Sequence, residues 1–249
     1  MTTIIETRNL SLRFGGAVIV EDVSLAVPEG MFVSIIGPNG AGKTSLFNLL
    51  SGIYRPTAGQ VLMRGEEITN LPPSARVQRG LGRSFQITTI FPGLLTFENA
   101  RLAAQAARPG NFVAWRSASS DRAARDRAMW ALETVGLRDR VMTPAALLPH
   151  GDKRKLELAI LLCGEPEIIL LDEPTAGVSA EEVPAMLEVI RRIREVEKKT
   201  ILMVEHKMDV VHDLSDRVAV LANGSLVAYD TPDAVMADPF VRSAYLGVA

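Results

Sequence analysis

One cysteine, Cys163, stands in 249 residues. That excludes an intrachain disulfide and makes a reducing compartment the simple inference. No charge of one sign dominates: 27 Lys and Arg face 29 Asp and Glu, a net charge of −2. The balance gives no argument for a nucleic-acid partner. No apolar run approaches the roughly 20 residues of a membrane-spanning helix. The opening MTTIIETRNL lacks the basic-then-apolar order of a secretory signal, so the expected location is the cytoplasm. No internal repeat or low-complexity segment appears. What is there is ordinary: 47% hydrophobic and 22% charged residues. Such a composition is globular, and the length allows one large core or two interlocked lobes.

The most specific stretch is Gly37-Pro38-Asn39-Gly40-Ala41-Gly42-Lys43-Thr44. It fits G-x-x-x-x-G-K-[ST], the loop that cradles phosphates with backbone N–H groups. Met31 to Ile36 reads as a buried strand before it. Ser45 to Leu50 reads as a helix after it, with Gly52 as its stop. A strand, a glycine loop and a helix in that order aim amide groups and a helix dipole at one point, which suits a phosphate chain. Lys43 can reach the β- and γ-phosphates, and the Thr44 hydroxyl can ligate Mg²⁺. By chance the pattern is expected in about one chain of this length in a hundred, and the flanking strand and helix lower that further.

Two half-buried strands precede the loop. Leu10, Leu12 and Phe14 alternate up to Gly15-Gly16, and Val23, Leu25 and Val27 alternate up to Pro28. Phe14 is a core residue at a strand end or an exposed ring for stacking, and the alternation alone favours the core. After the loop come a short strand, Gln60 to Met63, and a helical turn or two within Leu71 to Gly80. Helices are expected over Phe97 to Ala107, Asp121 to Val135 and Asp152 to Cys163. In the second, Ala124, Ala128, Ala131, Leu132 and Val135 share one face. Arg122, Arg125, Asp126, Arg127 and Glu133 read as its solvated face. Trp115 and Trp130 read as packing residues. Cys163 follows Leu156, Ala159 and Ile160 on an apolar face and reads as core.

Ile168 to Leu171 is a buried strand that ends in Asp172-Glu173-Pro174. Ligands of open α/β sheets bind at the carboxyl ends of the strands. Asp172 is the natural second Mg²⁺ partner, and Glu173 stands where a base can reach a water. The next helix buries Val183, Met186, Leu187, Ile190 and Ile193, with Ser179 and Glu182 spaced as a capping box. Thr200 to Val204 is another buried strand, ending at Glu205-His206. His206 alone reads as a core or surface histidine; at the end of a strand of the same sheet it becomes a site candidate. Arg217 to Tyr229 is a hairpin turning at Asn223-Gly224, and a last short helix runs from Pro232 toward Ala237. Lys153-Arg154-Lys155 reads as a solvated face, or more sharply as a positive field.

The set GPNGAGKT (37–44), SFQ (84–86), LPHGD (148–152), IILLDEP (168–174) and VEH (204–206) resembles the ATPase subunit of an ABC transporter along the whole chain. The resemblance implies an α/β P-loop NTPase core of RecA-like type, with an antiparallel β subdomain and an inserted α-helical subdomain. Residues 1–86 and 166–249 would form the first lobe and 87–165 the helical one. It implies that ATP and Mg²⁺ bind at Phe14, at Gly37 to Ser45, including Pro38, Asn39, Gly40, Ala41 and Gly42, and at Thr44, Gln86 and Asp172. Phe14 would stack on adenine. Glu173 would be the base, His206 a γ-phosphate contact, and Gln86 a contact to Mg²⁺ or water. Pro149, His150, Gly151 and Asp152 would reach the ATP of a second ATPase subunit in a head-to-tail dimer.

FGG (14–16), GLGRSFQ (80–86), LTFEN (95–99) and DPFVRSAYLG (238–247) resemble the importers of branched-chain amino acids, amides and urea. That implies transmembrane permease subunits, an external solute-binding protein and a place on the inner face of the membrane. Two residues depart from the family pattern. Pro149 stands where a serine usually binds the partner's γ-phosphate, and Ser179 stands where an Asp is usual. A soluble ABC protein usually shows a long coiled-coil insertion or a second ATPase unit, and this chain has neither; Glu173 and His206 argue against a non-hydrolysing module, while Pro149 keeps that alternative open for one of the two sites.

Overall fold

A computed structural model describes residues 2–84, 90–107, 121–239 and 241. Alternating sequences open the chain and pair into a hairpin: β1 (Thr3–Phe14) and β2 (Ala17–Pro28). Leu10, Leu12, Val20, Val23, Leu25 and Val27 are its buried face. Next come β3 (Phe32–Ile36), α1 (Lys43–Ser51), β4 (Ala58–Met63), β5 (Glu66–Glu67), α2 (Pro73–Gln78) and β6 (Leu81–Arg83). Then α3 (Thr96–Ala106), α4 (Arg122–Thr134) and α5 (His150–Cys163) follow one another. The chain finishes with β7 (Ile168–Asp172), α6 (Val183–Glu197), β8 (Thr200–Val204), α7 (Met208–Leu214), β9 (Arg217–Ala222), β10 (Ser225–Asp230) and α8 (Pro232–Ala237).

Two sheets result. One is antiparallel, in the order β2-β1-β4-β5; the other has the order β10-β9-β3-β8-β7-β6 and is parallel except for the β9–β10 hairpin. β3, β7 and β8 are buried at every residue. Unbroken apolar runs are what a strand covered on both faces requires. One face packs with α1 and the antiparallel sheet, through Phe47, Leu49 and Leu50. The other face packs with α6 and the α3–α5 helices, through Ile169, Leu171, Met186 and Ile190. A parallel-sheet α/β core, an antiparallel sheet beside it and three helices in sequence between β6 and β7 are the parts that the resemblance implied. Among the described residues no helix is long and apolar enough to cross a membrane.

Several local expectations are corrected. Phe14 is not core: it is 52% exposed, and among the described residues its ring makes a T-shaped contact with Tyr54, at 5.4 Å between centroids. The alternation holds through Leu10 and Leu12, but Phe14 sits at the hairpin tip, where it pairs with Ala17 and is left exposed among the described residues. Arg127 is not on a solvated face. Its guanidinium lies 3.8 Å from the Trp130 ring and donates to Leu162 O at 2.6 Å. Within the basic run, Lys155 pairs with Asp152 and Arg154 with Glu157, so these two are neither freely solvated nor an unpaired field. Ser179 is no cap: α6 starts at Val183, and Ser179 Oγ donates to Glu182 Oε2 at 3.2 Å within the preceding turn. Ile160 is only partly buried, while Cys163 is in the core. Phe85, Gln86, Trp115 and most of 238–247 lie outside the described residues.

Candidate functional site

The loop after β3 is shaped by two glycines with no room for a side chain. A Cβ on Gly37 would lie 2.2 Å from Leu221 O, and one on Gly42 would lie 2.6 Å from Ile19 O, at φ +95. Only glycine tolerates both the close approach and the left-handed backbone. The loop is thus wedged between β9 and the β1–β2 hairpin, the same hairpin that carries Phe14 at its tip. Gly42 starts α1, so Lys43, Thr44 and Ser45 form its first turn. Lys43 is buried, and its Nζ donates to Gly37 O at 2.7 Å and Pro38 O at 2.9 Å. Burial pushes its pKa down, against the pull of Glu173 and Asp172. Pro38, Asn39, Gly40 and Thr44 face outward and Ala41 is buried.

The far end of α1 is fixed by a residue that pattern reading missed. Arg76 is fully buried, and its guanidinium donates to Leu49 O, Leu50 O, Thr69 O and Leu71 O. Leu49 and Leu50 are last-turn carbonyls; the capping Gly52 amide also donates to Leu49 O, at 3.2 Å. Burial lowers the Arg76 pKa to about 10, still far above neutrality, so the cap stays charged.

Strand order brings the acids to the loop. β8 lies between β3 and β7, so Asp172 is two strand spacings, about 10 Å, from the start of the phosphate loop. Asp172 is buried. Its Oδ2 accepts from Arg83 Nη2 at 3.0 Å, while Oδ1 has no hydrogen-bond partner among the described residues. Desolvation pushes its carboxyl above the usual range, and Arg83 opposes that. Glu173 has φ 49, a left-handed backbone that a non-glycine residue adopts at a cost. Its N–H is held by Val204 O at 3.0 Å, and its Oε1 lies 2.9 Å from His206 Nε2. So Asp172, Glu173 and His206 gather at the carboxyl edge of adjacent strands, beside Lys43.

Glu205, unremarked in the sequence, is the brace behind them. Its buried carboxylate accepts from the Thr175 hydroxyl and from the His206 amide, joining the turn after β7 to the turn after β8. The only sequence signal is its place one residue after a buried strand.

The stretch around Pro149 stands apart from this cluster. Pro149 precedes the first residue of α5 and supplies no side-chain cap. The helix presents the first-turn amides of His150, Gly151 and Asp152. His150 is exposed beside Gly177, and a Cβ on Gly151 would lie 2.7 Å from Glu182 Oε1. Asp152 pairs with Lys155.

A family model described as ABC transporter matches residues 20–176. The chain is 39% identical over 253 residues to the high-affinity branched-chain amino acid transport ATP-binding protein LivG of Salmonella typhimurium, covering 99% of this chain and 98% of that one. It is 38% identical over 251 residues to the corresponding protein BraF of Pseudomonas aeruginosa, with the same coverage. Among solved structures, the ADP conformation of MJ1267, an ATP-binding cassette of an ABC transporter, superposes with a TM-score of 0.87 at 26% identity over 100% of both chains. A likeness that runs the full length of the chain at this level leaves one family: the chain belongs to the ABC transporters, as an ATP-binding cassette.

Proposed function

We propose that this cassette hydrolyses ATP to drive uptake of a branched-chain amino acid, or a solute of similar size and polarity such as an amide or urea. The solute class rests on the names of LivG and BraF, whose full length the chain matches. The observation that carries the hydrolytic reading is the meeting of Lys43, Asp172, Glu173 and His206 at one sheet edge.

Each residue then has a role. The loop amides from Gly37 to Ser45 and the Lys43 ammonium bind the phosphates. Thr44 and Asp172 Oδ1 would hold Mg²⁺. Their oxygens suit a hard cation, and the buried Oδ1 lacks any other partner among the described residues. When bound, the cation neutralises developing phosphate charge. Glu173 accepts a proton from the attacking water, and His206, paired with it, binds the γ-phosphate. Phe14, exposed at the hairpin tip, stacks on adenine. Gln86 keeps its proposed contact to Mg²⁺ or water.

The division into 1–86 with 166–249 and the helical part 87–165 belongs to the same proposal. So does a head-to-tail pairing with a second ATPase subunit, in which the first turn of α5, at Pro149 to Asp152, covers the partner's nucleotide. An apolar groove of about 380 Å³, lined by Ile53, Val77, Leu81, Ile160, Leu161 and Pro166, lies where the two parts meet and suits a permease segment. An external solute-binding protein completes the importer on the other side of the membrane. The test is uptake of labelled leucine and urea by vesicles containing the assembled complex, with Glu173→Gln as control. ATP-dependent uptake that Glu173→Gln abolishes supports the reading; equal uptake by both overturns it.

A further inference from the structure

Arg83 enters the site from β6, a strand that supplies none of the groups assigned above. Its side chain is 9% exposed, and that of its partner Asp172 is 1% exposed. The guanidinium serves two elements at once. Nη2 donates to Asp172 Oδ2 at 3.0 Å, and Nη1 donates to Asn48 Oδ1 at 2.7 Å and Ser51 Oγ at 2.8 Å. Its carbon lies 5.8 Å from the centre of the Phe47 ring. Phe47, Asn48 and Ser51 all belong to α1, the helix that starts with Lys43 and Thr44. The next residue repeats the connection: Ser84 Oγ accepts from the Asp172 amide at 3.2 Å, and the Ser84 amide donates to Leu170 O at 2.9 Å.

A buried ion pair is weak grounds for a stabilising role, because desolvation offsets the attraction. The asymmetry of this pair points elsewhere. One carboxylate oxygen is held, and the other, Oδ1, is buried with no partner among the described residues. Holding one oxygen fixes the direction of the other. The second anchor on α1 fixes the carboxylate relative to the helix that carries Thr44. A planar, five-donor fork can span both anchors; an ammonium is a point donor that cannot.

We propose that Arg83 is a positioning residue for Mg²⁺–nucleotide binding, tying Asp172 to α1 so that Oδ1 and the Thr44 hydroxyl present one preformed pair of ligands. The proposal rests on reading Asp172 and Thr44 as the Mg²⁺ ligands. It treats Arg83 as an outer partner of the kind that orients a metal-binding carboxylate.

The experiment titrates a fluorescent ATP analogue onto the full chain, across Mg²⁺ concentrations and in EDTA. Asp172→Asn tests the underlying reading; Arg83→Met, Arg83→Lys and Asn48→Ala test the proposal. Arg83→Met is expected to raise the Mg²⁺ concentration for half-maximal effect by about 10- to 100-fold, with affinity in EDTA changed less than about twofold. Arg83→Lys is expected to fall short of rescue, and Asn48→Ala to give a smaller shift in the same direction. An arginine that only supports the fold would weaken binding equally with and without Mg²⁺, and that result overturns the proposal. If Asp172→Asn leaves the Mg²⁺ effect intact, the reading falls and takes the proposal with it. If Asp172→Asn abolishes the effect while the Arg83 and Asn48 variants match wild type, the reading stands and the proposal falls. Should Arg83→Met fail to fold, wild-type Mg²⁺ dependence in both Arg83→Lys and Asn48→Ala overturns it.

Discussion

The two surfaces proposed to meet nucleotide are built differently. At the phosphate loop almost every charged group is braced from behind. Lys43 rests on two carbonyls, Asp172 on Arg83 and the His206 amide on Glu205, and Arg76 caps the helix that starts in the loop. At Pro149 the first turn of α5 offers little besides amides and a dipole, beside the Glu182 carboxylate. The first surface is preorganised and pays in desolvation. The second has little to desolvate and little to orient. A braced polar cluster loses much when one member is removed; a helix terminus loses little and can be improved. Mutation at each surface tests that difference.

The largest effect is expected at Glu173. Glu173→Gln keeps the shape and the hydrogen bond toward His206 but removes the proposed base. Single-turnover and steady-state ATPase rates should fall by about 10²- to 10⁴-fold, with ATP affinity nearly unchanged. A variant that hydrolyses at the wild-type rate would remove Glu173 from the chemistry. Next comes the foundation of the loop. Arg76→Met removes the guanidinium donor from the Leu49, Leu50, Thr69 and Leu71 carbonyls, of which Leu49 keeps the Gly52 amide, at a cost of about 3 kcal/mol. In a chain of this size that lowers the melting temperature by roughly 6–12 °C, measured by calorimetry. A loss below 1 °C would mean that α1 does not depend on the cap.

What the sequence made legible and what it hid follow the same line. The loop at 37–44, the strands that end at Asp172 and Val204, and the Asn223-Gly224 hairpin are local: each pattern lies within one short window. Arg76, Arg83 and Glu205 are not. Pattern reading sends charges to the surface, and these three are buried because their partners come from elsewhere in the chain. Arg83 and Asp172 are 89 residues apart. Phe14 was misjudged by alternation alone because alternation reports a face, not whether anything covers it. Ser179 matched a capping box because its spacing to Glu182 is right, yet that spacing falls in the turn before α6. Residues 149–152 were legible only through the resemblance, because the contact proposed for them is with a second chain and leaves no local pattern.

At the second surface the expected change is a gain. Pro149→Ser restores a hydroxyl at the start of α5. ATP-driven association with the partner subunit, in a Glu173→Gln background, should tighten by about tenfold, near 1.5 kcal/mol, the size of one charge-assisted hydrogen bond. The same serine can cap the helix in the lone chain, worth about 1 kcal/mol. Measuring association and melting temperature together separates the two. A raised melting temperature with no gain in association would make Pro149 a matter of helix stability and leave the two surfaces equal in function.

The smallest effect concerns the other end of α5. The helix starts at the exposed Pro149 and ends at the buried Cys163, whose thiol burial pushes up to about 12 from an ordinary value of 9.0. The folded state therefore holds the proton that the unfolded chain releases above pH 9. Stability from this group is complete below pH 9 and is lost as pH rises toward 12. Between pH 9 and 10 the loss is about 1 kcal/mol. Urea melts of wild type and Cys163→Ala over that interval isolate the term, because every other titrating group is common to both. Wild type should lose about 1 kcal/mol more than the variant, and the native thiol should resist alkylation at pH 8. Equal slopes, or rapid alkylation of the folded chain, would mean that α5 is loosely seated along its whole length. The contrast between an open start and a fixed end would then not hold.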